Sequence, residues 1–351
     1  MPCFHPLPAF YTGNFTKNGK REVKIVPRDV VSNAALDSKL WQSDRALWLP
    51  CGQCIGCRLE RSRQWANRCM LELEYHDSAY FVTLTYDDDH VPRSWYADES
   101  TGEAVPVQTL RKKDFQAFMK RLRFHFGQGI RFFACGEYGP ETWRPHYHAI
   151  IFGLKLDDLV PWSKSPQGNQ YYLSSSLQQV WSVRKAPTRY GSVNCLTADP
   201  EFFYDPIGHI LVSEVTWETC AYVARYCTKK LTGDQADFYP RFGLEPPFSL
   251  MSNRPGIARQ WYDDHPDCYD FEYINVSTPK GGRKFRPPRY FDKLYDIDYP
   301  DRMAEIKKSR KLIAEAAQAV KLASTHLSVD EILSLQEENW LSRIKSLQRK
   351  L

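Results

Sequence analysis

Several segments of the chain carry apolar and β-branched residues in the pattern of β-strands. Residues 79–86 are dense in β-branched and aromatic side chains and end at three consecutive aspartates. Further strands are predicted over 130–137, 144–153 and 207–215. The turn residues Gly139 and Pro140 separate strand 130–137 from strand 144–153, so these two strands are expected to pair as a hairpin.

Other segments repeat apolar residues every three or four positions, which predicts amphipathic helices. The clearest repeat consists of Phe115, Phe118, Met119, Leu122 and Phe126. Helices are also predicted from about residue 58 to Met70, over 174–181, over 216–230, and from 300 onward with breaks near 324–328. Residues 1–45 show no clear period, and 154–206 are rich in predicted loops with a short strand over 192–195.

Composition indicates a folded protein without selecting its activity. The 351 residues are 42% hydrophobic and 14% aromatic, which is ample for a core, and the net charge of +5 is compatible with nucleic acid without requiring it. The amino terminus lacks an export signal, and no stretch approaches the roughly 20 apolar residues of a membrane span. A cytoplasmic protein with reduced thiols is therefore expected.

Two histidines on one strand predict a metal site. His146 and His148 are two residues apart, so on a strand their imidazoles point to the same face. The predicted hairpin returns Glu137 beside them, and two imidazoles with one carboxylate suit a divalent cation. The alternative is a strand end with ordinary histidines and a surface glutamate.

A cysteine-rich segment precedes the first predicted helix. Two residues separate Cys51 from Cys54 and Cys54 from Cys57, and the intervening glycines let the chain curl around a tetrahedral zinc ion. Cys69, Cys3 and His5 are candidates for a fourth ligand, of which Cys69 is the one assigned here, although it also suits a buried position on a helix. Unligated thiols and an iron–sulfur or redox role are the alternatives.

Basic residues form two groups that are candidates for contact with phosphates. Arg58 and Arg61 lie on the helix after the cysteines, and Arg283 and Lys284 follow a predicted hairpin turn around 278–283. Plain solvation of a charged surface explains these residues equally well.

Two tyrosines are presented together on the helix predicted over 216–230. Tyr222 and Tyr226 are four residues apart and therefore lie on one face, one turn from each other. Taken alone, this spacing also fits a pair of core tyrosines.

The ordered set of motifs resembles the HUH endonucleases, and more narrowly the replication initiation proteins of gokushovirus-type phages of the Microviridae. The resemblance covers roughly residues 48–290. It is carried by Phe81-Val82-Thr83-Leu84-Thr85-Tyr86, Pro50-Cys51-Gly52-Gln53-Cys54-Ile55-Gly56-Cys57-Arg58, Gly136-Glu137-Tyr138-Gly139, His146-Tyr147-His148, Tyr222-Val223-Ala224-Arg225-Tyr226 and Met251-Ser252-Asn253-Arg254-Pro255-Gly256-Ile257.

The resemblance implies an α+β fold with a central antiparallel sheet flanked by helices. It also implies a metal, Mg²⁺ or Mn²⁺, held by the two histidines and a third polar residue, and DNA nicking by Tyr222 and Tyr226 in rolling-circle replication. We expect Lys229 and Lys230 to stabilise the phenolate, and Arg225 to contact DNA. The expected setting is the host cytoplasm, with single-stranded and origin DNA as substrate and a host polymerase as partner. A host helicase is also expected, because the sequence contains no complete ATPase phosphate loop.

Four regions are predicted along the chain. These are a cysteine-rich segment over 1–78, a nuclease core over 79–240, an accessory basic region over 241–299 and a helical tail over 300–351. Two other functions remain compatible with the sequence: another HUH transposase or plasmid initiator, and a zinc-bearing DNA-binding protein without catalysis.

Overall fold

The computed structural model describes residues 3–17, 19, 21–26, 45–139, 141–165, 168–185, 203–226, 236–278 and 281–345. The strand predicted over 192–195 lies outside these ranges, as do Lys229 and Lys230. In the described ranges no helix is both long and apolar enough to cross a membrane.

Strands account for much of the amino-terminal two thirds of the chain. In chain order they are β1 (Leu7–Phe15), β2 (Arg21–Ile25), β3 (Ala46–Leu49), β4 (Ala79–Leu84), β5 (Arg93–Ala97), β6 (Ala104–Gln108), β7 (Arg131–Tyr138), β8 (Pro145–Phe152), β9 (Val160–Lys164), β10 (Gln170–Leu173), β11 (Ser182–Lys185), β12 (Phe203–Pro206), β13 (Ile210–Glu214), β14 (Phe248–Met251), β15 (Ile274–Thr278) and β16 (Gly281–Phe285).

Helices flank these strands and make up the carboxyl-terminal part. In chain order they are α1 (Ile55–Leu73), α2 (Lys112–Phe126), α3 (Ser175–Val180), α4 (Trp217–Tyr226), α5 (Phe238–Arg241), α6 (Arg259–Asp264), α7 (Arg289–Asp298), α8 (Pro300–Ala323) and α9 (Val329–Lys345). The class is therefore α+β, as the motifs predicted.

The chain divides into two compact units, Met1–Arg61 with Leu294–Leu351, and Ser62–Lys293. The second unit is built on a seven-stranded sheet with the order β14-β7-β8-β4-β13-β10-β9, in which every neighbouring pair is antiparallel. The predicted hairpin of 130–137 with 144–153 forms the β7–β8 pair in the interior of this sheet. The hairpin thus has a strand on each side.

Each face of the central sheet is covered by its own hydrophobic layer. On one face, α2 buries its predicted apolar stripe, including Phe115, Phe118 and Leu122, against residues such as Tyr147 and Ile151. On the other face, α4 and the second half of α1 pack against the sheet. The buried residues of this layer include Ala66, Cys69, Phe81, Phe133, Cys135, Ile150, Phe152, Cys220 and Val223. Alternation along β8 sends His146 and His148 to this second face.

The first unit contains a small sheet and the carboxyl-terminal helices. Its strands have the order β2-β1-β3, with both pairs antiparallel. The predicted break in the helical tail falls between α8 and α9, where Ser328 caps α9 by accepting a hydrogen bond from the Glu331 N–H.

Candidate metal centre and tyrosine helix

Strand register brings three candidate metal ligands together. Glu137 on β7 lies directly opposite His146 on β8, and two residues along the ladder Cys135 lies opposite His148. Directly opposed residues on antiparallel strands share a face. The carboxylate and both imidazoles therefore converge on one side of the hairpin.

The distances among these groups are those of a shared site. The Nε2 atoms of His146 and His148 lie 3.0 Å and 3.1 Å from the same oxygen, Glu137 Oε1. One ligand atom from each of the three residues lies within 4.8 Å of the other two. Glu137 is only 3% exposed and His148 only 6% exposed, so these two candidate ligands are buried.

Hydrogen bonds behind the histidines orient both rings. His146 Nδ1 lies 3.1 Å from the carbonyl oxygen of Arg144, which only accepts, so Nδ1 carries the proton and Nε2 presents its lone pair in the neutral ring. His148 Nδ1 lies 2.9 Å from Thr83 Oγ1 on β4, a hydroxyl that can accept a hydrogen bond from this nitrogen. Partners of this kind are typical behind metal-binding histidines.

The donor set fits a divalent cation. Burial disfavours the charged form of Glu137, but hydrogen bonds from His146 and His148 outweigh it and hold the pKa of this carboxyl below its ordinary value. Those hydrogen bonds place a proton on each Nε2, and a divalent cation bound at this point would displace both protons. Two imidazoles and one carboxylate suit a first-row divalent ion that keeps open positions for a substrate.

Helix α4 places a tyrosine against this centre. The ring of Tyr222 meets the His148 ring edge to face, with centroids 5.3 Å apart, and contacts Phe81 in the same manner at 6.0 Å. Thr216 caps the helix as predicted, since its Oγ1 accepts from the Thr219 N–H at 3.2 Å. Tyr226 is the last residue of α4, one turn beyond Tyr222.

A second group of candidate metal ligands lies in the other compact unit. Cys3 joins Cys51, Cys54 and Cys57, with ligand sulfurs all within 4.8 Å of one another. The Cys51–Cys57 and Cys3–Cys54 sulfurs are 4.0 Å and 3.9 Å apart. A tetrahedral zinc ion with Zn–S bonds of about 2.3 Å requires sulfur separations of about 3.8 Å.

Backbone N–H groups point at these sulfurs, as expected around thiolates. Cys54 Sγ accepts from the Phe4 N–H at 3.3 Å, and Cys3 Sγ accepts from the Cys51 N–H at 3.2 Å. Burial raises the pKa of the Cys54 thiol, but hydrogen bonds from the Cys57 and Phe4 N–H groups outweigh it and lower that pKa to about 7. A thiol of this kind ionises readily when a cation binds.

The prediction that Cys69 is the fourth ligand is wrong. Twelve residues of the same helix separate it from Cys57, which is about 18 Å at the helical rise, so it cannot join the other cysteines. Cys69 is instead fully buried beside Cys220 in the core under the sheet. Cys3 takes the fourth position, although it is 48 residues distant from Cys51 in sequence.

The basic residues predicted to contact DNA occupy several elements. Arg58 and Arg61 lie on α1, and Arg225 lies on α4. Arg283 and Lys284 lie on β16, in the predicted carboxyl-terminal hairpin. The Arg283 guanidinium lies 3.8 Å from the centre of the Trp217 ring, so β16 contacts the first residue of the tyrosine helix. Thr83, which orients His148, is a site residue that the sequence analysis did not single out.

Known proteins match both the sheet-bearing region and the whole chain. Residues 79–231 match the family model of the replication-associated protein ORF2/G2P. The chain is 28% identical to the replication-associated protein ORF2 of Spiroplasma virus 4, over 100% of this chain and 98% of the relative. It is 26% identical to the replication-associated protein VP4 of Bdellovibrio phage phiMH2K, over 90% of this chain and 85% of the relative.

A third relative, the replication-associated protein ORF4 of Chlamydia phage 1, is 29% identical over 52% of this chain and 38% of its own length. No solved structure matches the chain at a significant level. The chain is therefore similar to the replication-associated proteins of these phages, and its residues 79–231 match the ORF2/G2P family model, in agreement with the resemblance to gokushovirus-type initiation proteins.

Proposed function

We propose that the protein initiates rolling-circle replication of a phage genome by nicking single-stranded origin DNA through a tyrosine, as an HUH endonuclease. One observation carries the proposal. The Nε2 atoms of His146 and His148 and the Glu137 carboxylate converge on one point, and the Tyr222 ring packs directly on His148. Phosphoryl transfer to a tyrosine requires a phenol next to a centre that binds a cation.

The proposed reaction is a transesterification. The tyrosine hydroxyl loses its proton and its oxygen attacks the phosphorus, so one oxygen–phosphorus bond forms while the bond to the 3′-oxygen of the preceding nucleotide breaks. The leaving 3′-oxygen takes up a proton. The products are a 5′-phosphotyrosine link and a free 3′-hydroxyl, and because the phosphodiester count is unchanged the step can be reversed to rejoin the strand.

The protein side chains hold the reacting groups in place. Glu137, His146 and His148 would hold Mg²⁺ or Mn²⁺, which when bound supplies positive charge for a nonbridging phosphate oxygen. Thr83 and the Arg144 carbonyl keep the two imidazole lone pairs directed at that point. The packing of Tyr222 on His148 keeps a phenol next to the site where the phosphate would bind.

The proposed products define the partners. A free 3′-hydroxyl is a primer, so a host DNA polymerase would extend it in the host cytoplasm. Strand separation needs a motor, and a host helicase would supply it. Lys229 and Lys230 follow α4 in sequence, and we retain them as candidates for stabilising the phenolate.

A covalent-adduct assay tests the proposal. Protein is mixed with single-stranded DNA that contains the origin of the replicon encoding the chain, with Mg²⁺ or Mn²⁺, and denatured. We expect a protein–DNA band that resists denaturant and is lost on protease treatment. Tight DNA binding without this band would support a non-catalytic zinc-bearing DNA-binding protein. An adduct only on unrelated plasmid or transposon ends would support another HUH enzyme.

The substitution Thr83→Val tests how the centre is oriented. Valine has the shape of threonine but lacks the hydroxyl partner of His148, so we expect Mn²⁺ affinity to fall by about 10- to 100-fold. The measurement is Mn²⁺ titration followed by electron paramagnetic resonance. Thr101→Val, at an exposed turn between β5 and β6, is the matched control. Unchanged Mn²⁺ affinity in Thr83→Val would contradict this role.

The cysteine group is proposed to hold a structural zinc ion. Purified protein should then carry about one zinc per chain, and chelation should lower its melting temperature. Cys3→Ser should lose zinc and stability, whereas Cys69→Ala should keep the zinc because that cysteine lies elsewhere. Elemental analysis and thermal melts measure both effects. Full zinc content in Cys3→Ser would show that the assignment is wrong.

A further inference from the structure

Trp143 lies in the turn that joins the two strands of the metal centre. The turn connects Glu137 on β7 to His146 on β8 and is closed by a hydrogen bond from the Gly139 N–H to the Arg144 carbonyl, 3.0 Å long. Trp143 is 46% exposed there. Three residues span at most about 11 Å, so its Cα lies within that distance of the His146 Cα.

The backbone of Trp143 adopts an unfavourable conformation. Its φ is +53°, in the left-handed region, which among the described residues other than glycine is shared only by Ala258. A bulky side chain is disfavoured there, whereas glycine or asparagine would fit at little cost. Such strain is concentrated at functional sites, where the side chain is needed in spite of the backbone.

Two aromatic rings of the layer under α2, on the sheet face opposite the histidines, hold the Trp143 ring at the end of the β7–β8 hairpin. Its centroid lies 5.7 Å from that of Tyr138 and 5.3 Å from that of Phe238, with interplanar angles of 43° and 39°. The ring is thus fixed on one side by two others and open to solvent over nearly half of its residue surface. A preorganised aromatic surface of this kind binds a flat ligand at little entropic cost.

We propose that Trp143 is a stacking platform for an unpaired base of the DNA strand where that strand passes around the end of the β7–β8 hairpin, beyond the metal centre. The proposal rests on the proposed function, which places single-stranded DNA beside Glu137 and His146. Bases of a single strand have exposed faces that stack on aromatic side chains without regard to sequence. The stacked base would fix the position of the neighbouring phosphates relative to the centre.

The test is binding to an unstructured strand, without added divalent cation. The probe is fluorescein-labelled oligothymidylate of about 20 nucleotides, compared with an abasic strand of equal length, and the measurement is fluorescence anisotropy. Trp143→Ala should weaken binding to oligothymidylate by about 5- to 100-fold and leave binding to the abasic strand unchanged. Trp143→Phe should restore most of the lost affinity.

The Trp143→Asn variant distinguishes a loss of DNA binding from a loss of stability. Asparagine relieves the backbone strain, so its melting temperature should stay close to that of the native protein while its oligothymidylate affinity falls as in Trp143→Ala. Trp95→Ala is the matched control, since Trp95 is 61% exposed on β5, and it should bind as the native protein does.

Equal oligothymidylate affinity in native protein and Trp143→Asn would overturn the stacking role. An equal loss on both strands would also overturn it, because a lost phosphate contact or a misfolded turn acts without bases. The proposed function is tested separately by the covalent adduct. If native protein forms the adduct and Trp143→Asn binds oligothymidylate with native affinity, the stacking inference is wrong and the proposed function stands.

Discussion

Replacing His146 or His148 by alanine is expected to abolish covalent attachment to origin DNA. Both imidazoles direct Nε2 at the point they share with Glu137, and loss of either removes a ligand of a three-residue centre. A bound cation stabilises the transition state by several kcal/mol, and each 1.4 kcal/mol is about tenfold in rate, so a loss of about a thousandfold or more is expected. The measurement is the rate of adduct formation under single-turnover conditions.

The controls for this prediction separate the centre from the fold. His326→Ala, in the exposed turn between α8 and α9, should react at the native rate. His146→Ala and His148→Ala should keep most of their affinity for oligothymidylate, because phosphate and base contacts elsewhere supply nonspecific binding. Normal cleavage by both histidine variants would eliminate the proposed metal centre.

The second large effect concerns the two tyrosines. Tyr222→Phe and Tyr226→Phe are each expected to form an adduct through the remaining tyrosine, and the double variant is expected to form none. The alternation requires either phenol to reach a phosphate at one centre, and one helical turn places the two residues only about 6 Å apart. Two nucleophiles serve a circular template: the first stays linked to the old 5′-end while the second cuts the regenerated origin.

Phenylalanine is the matched substitution because it keeps the ring that packs on His148 and removes only the hydroxyl. A fall in adduct formation in the double variant therefore reports the nucleophile and not the packing. If one single variant is inactive and its partner tyrosine never carries DNA, only one tyrosine is catalytic and the alternation is wrong.

The hairpin of the candidate site was predictable from local sequence. Turn residues between two runs of β-branched and apolar residues specify the pairing of β7 with β8, and the two-residue period then fixes which side chains share a face. The tyrosine helix was equally predictable from its capping residue and from the spacing of its apolar residues. The packing of this helix on the histidine-bearing face depends on the sheet topology, which no local sequence pattern specifies.

Short edge strands escaped the sequence analysis. β14 contains four residues, Phe248–Met251, yet it pairs with β7 and completes one side of the central sheet. Strands β5 and β6 fall between the strand predicted over 79–86 and the first apolar helix, where no element was predicted, and β1 and β2 fall in a segment without clear period. Strands β2, β5, β6 and β14 have only four or five residues each, which offer too few alternations for a period to emerge, so pairing with a neighbour decides their structure.

Two site features depended on three-dimensional information. Cys3 was one of three candidates for the fourth ligand, with Cys69 and His5, and spacing favoured Cys69 because it lies closer in sequence to Cys57. Only the length of α1 between Cys57 and Cys69 excludes Cys69. Trp143 carries no sequence signal at all. Its significance lies in a left-handed backbone and in the rings beneath it.

The most direct test of the central claim is the chemical identity of the protein–DNA link. The adduct formed with origin DNA is digested with nuclease and protease, and the nucleotide-bearing peptide is sequenced by mass spectrometry. The account predicts a 5′-phosphoryl group on Tyr222 or Tyr226, with an unmodified 3′-hydroxyl on the released strand. A link to any other residue, a 3′-phosphoryl link, or no adduct with Mg²⁺ or Mn²⁺ present would contradict it.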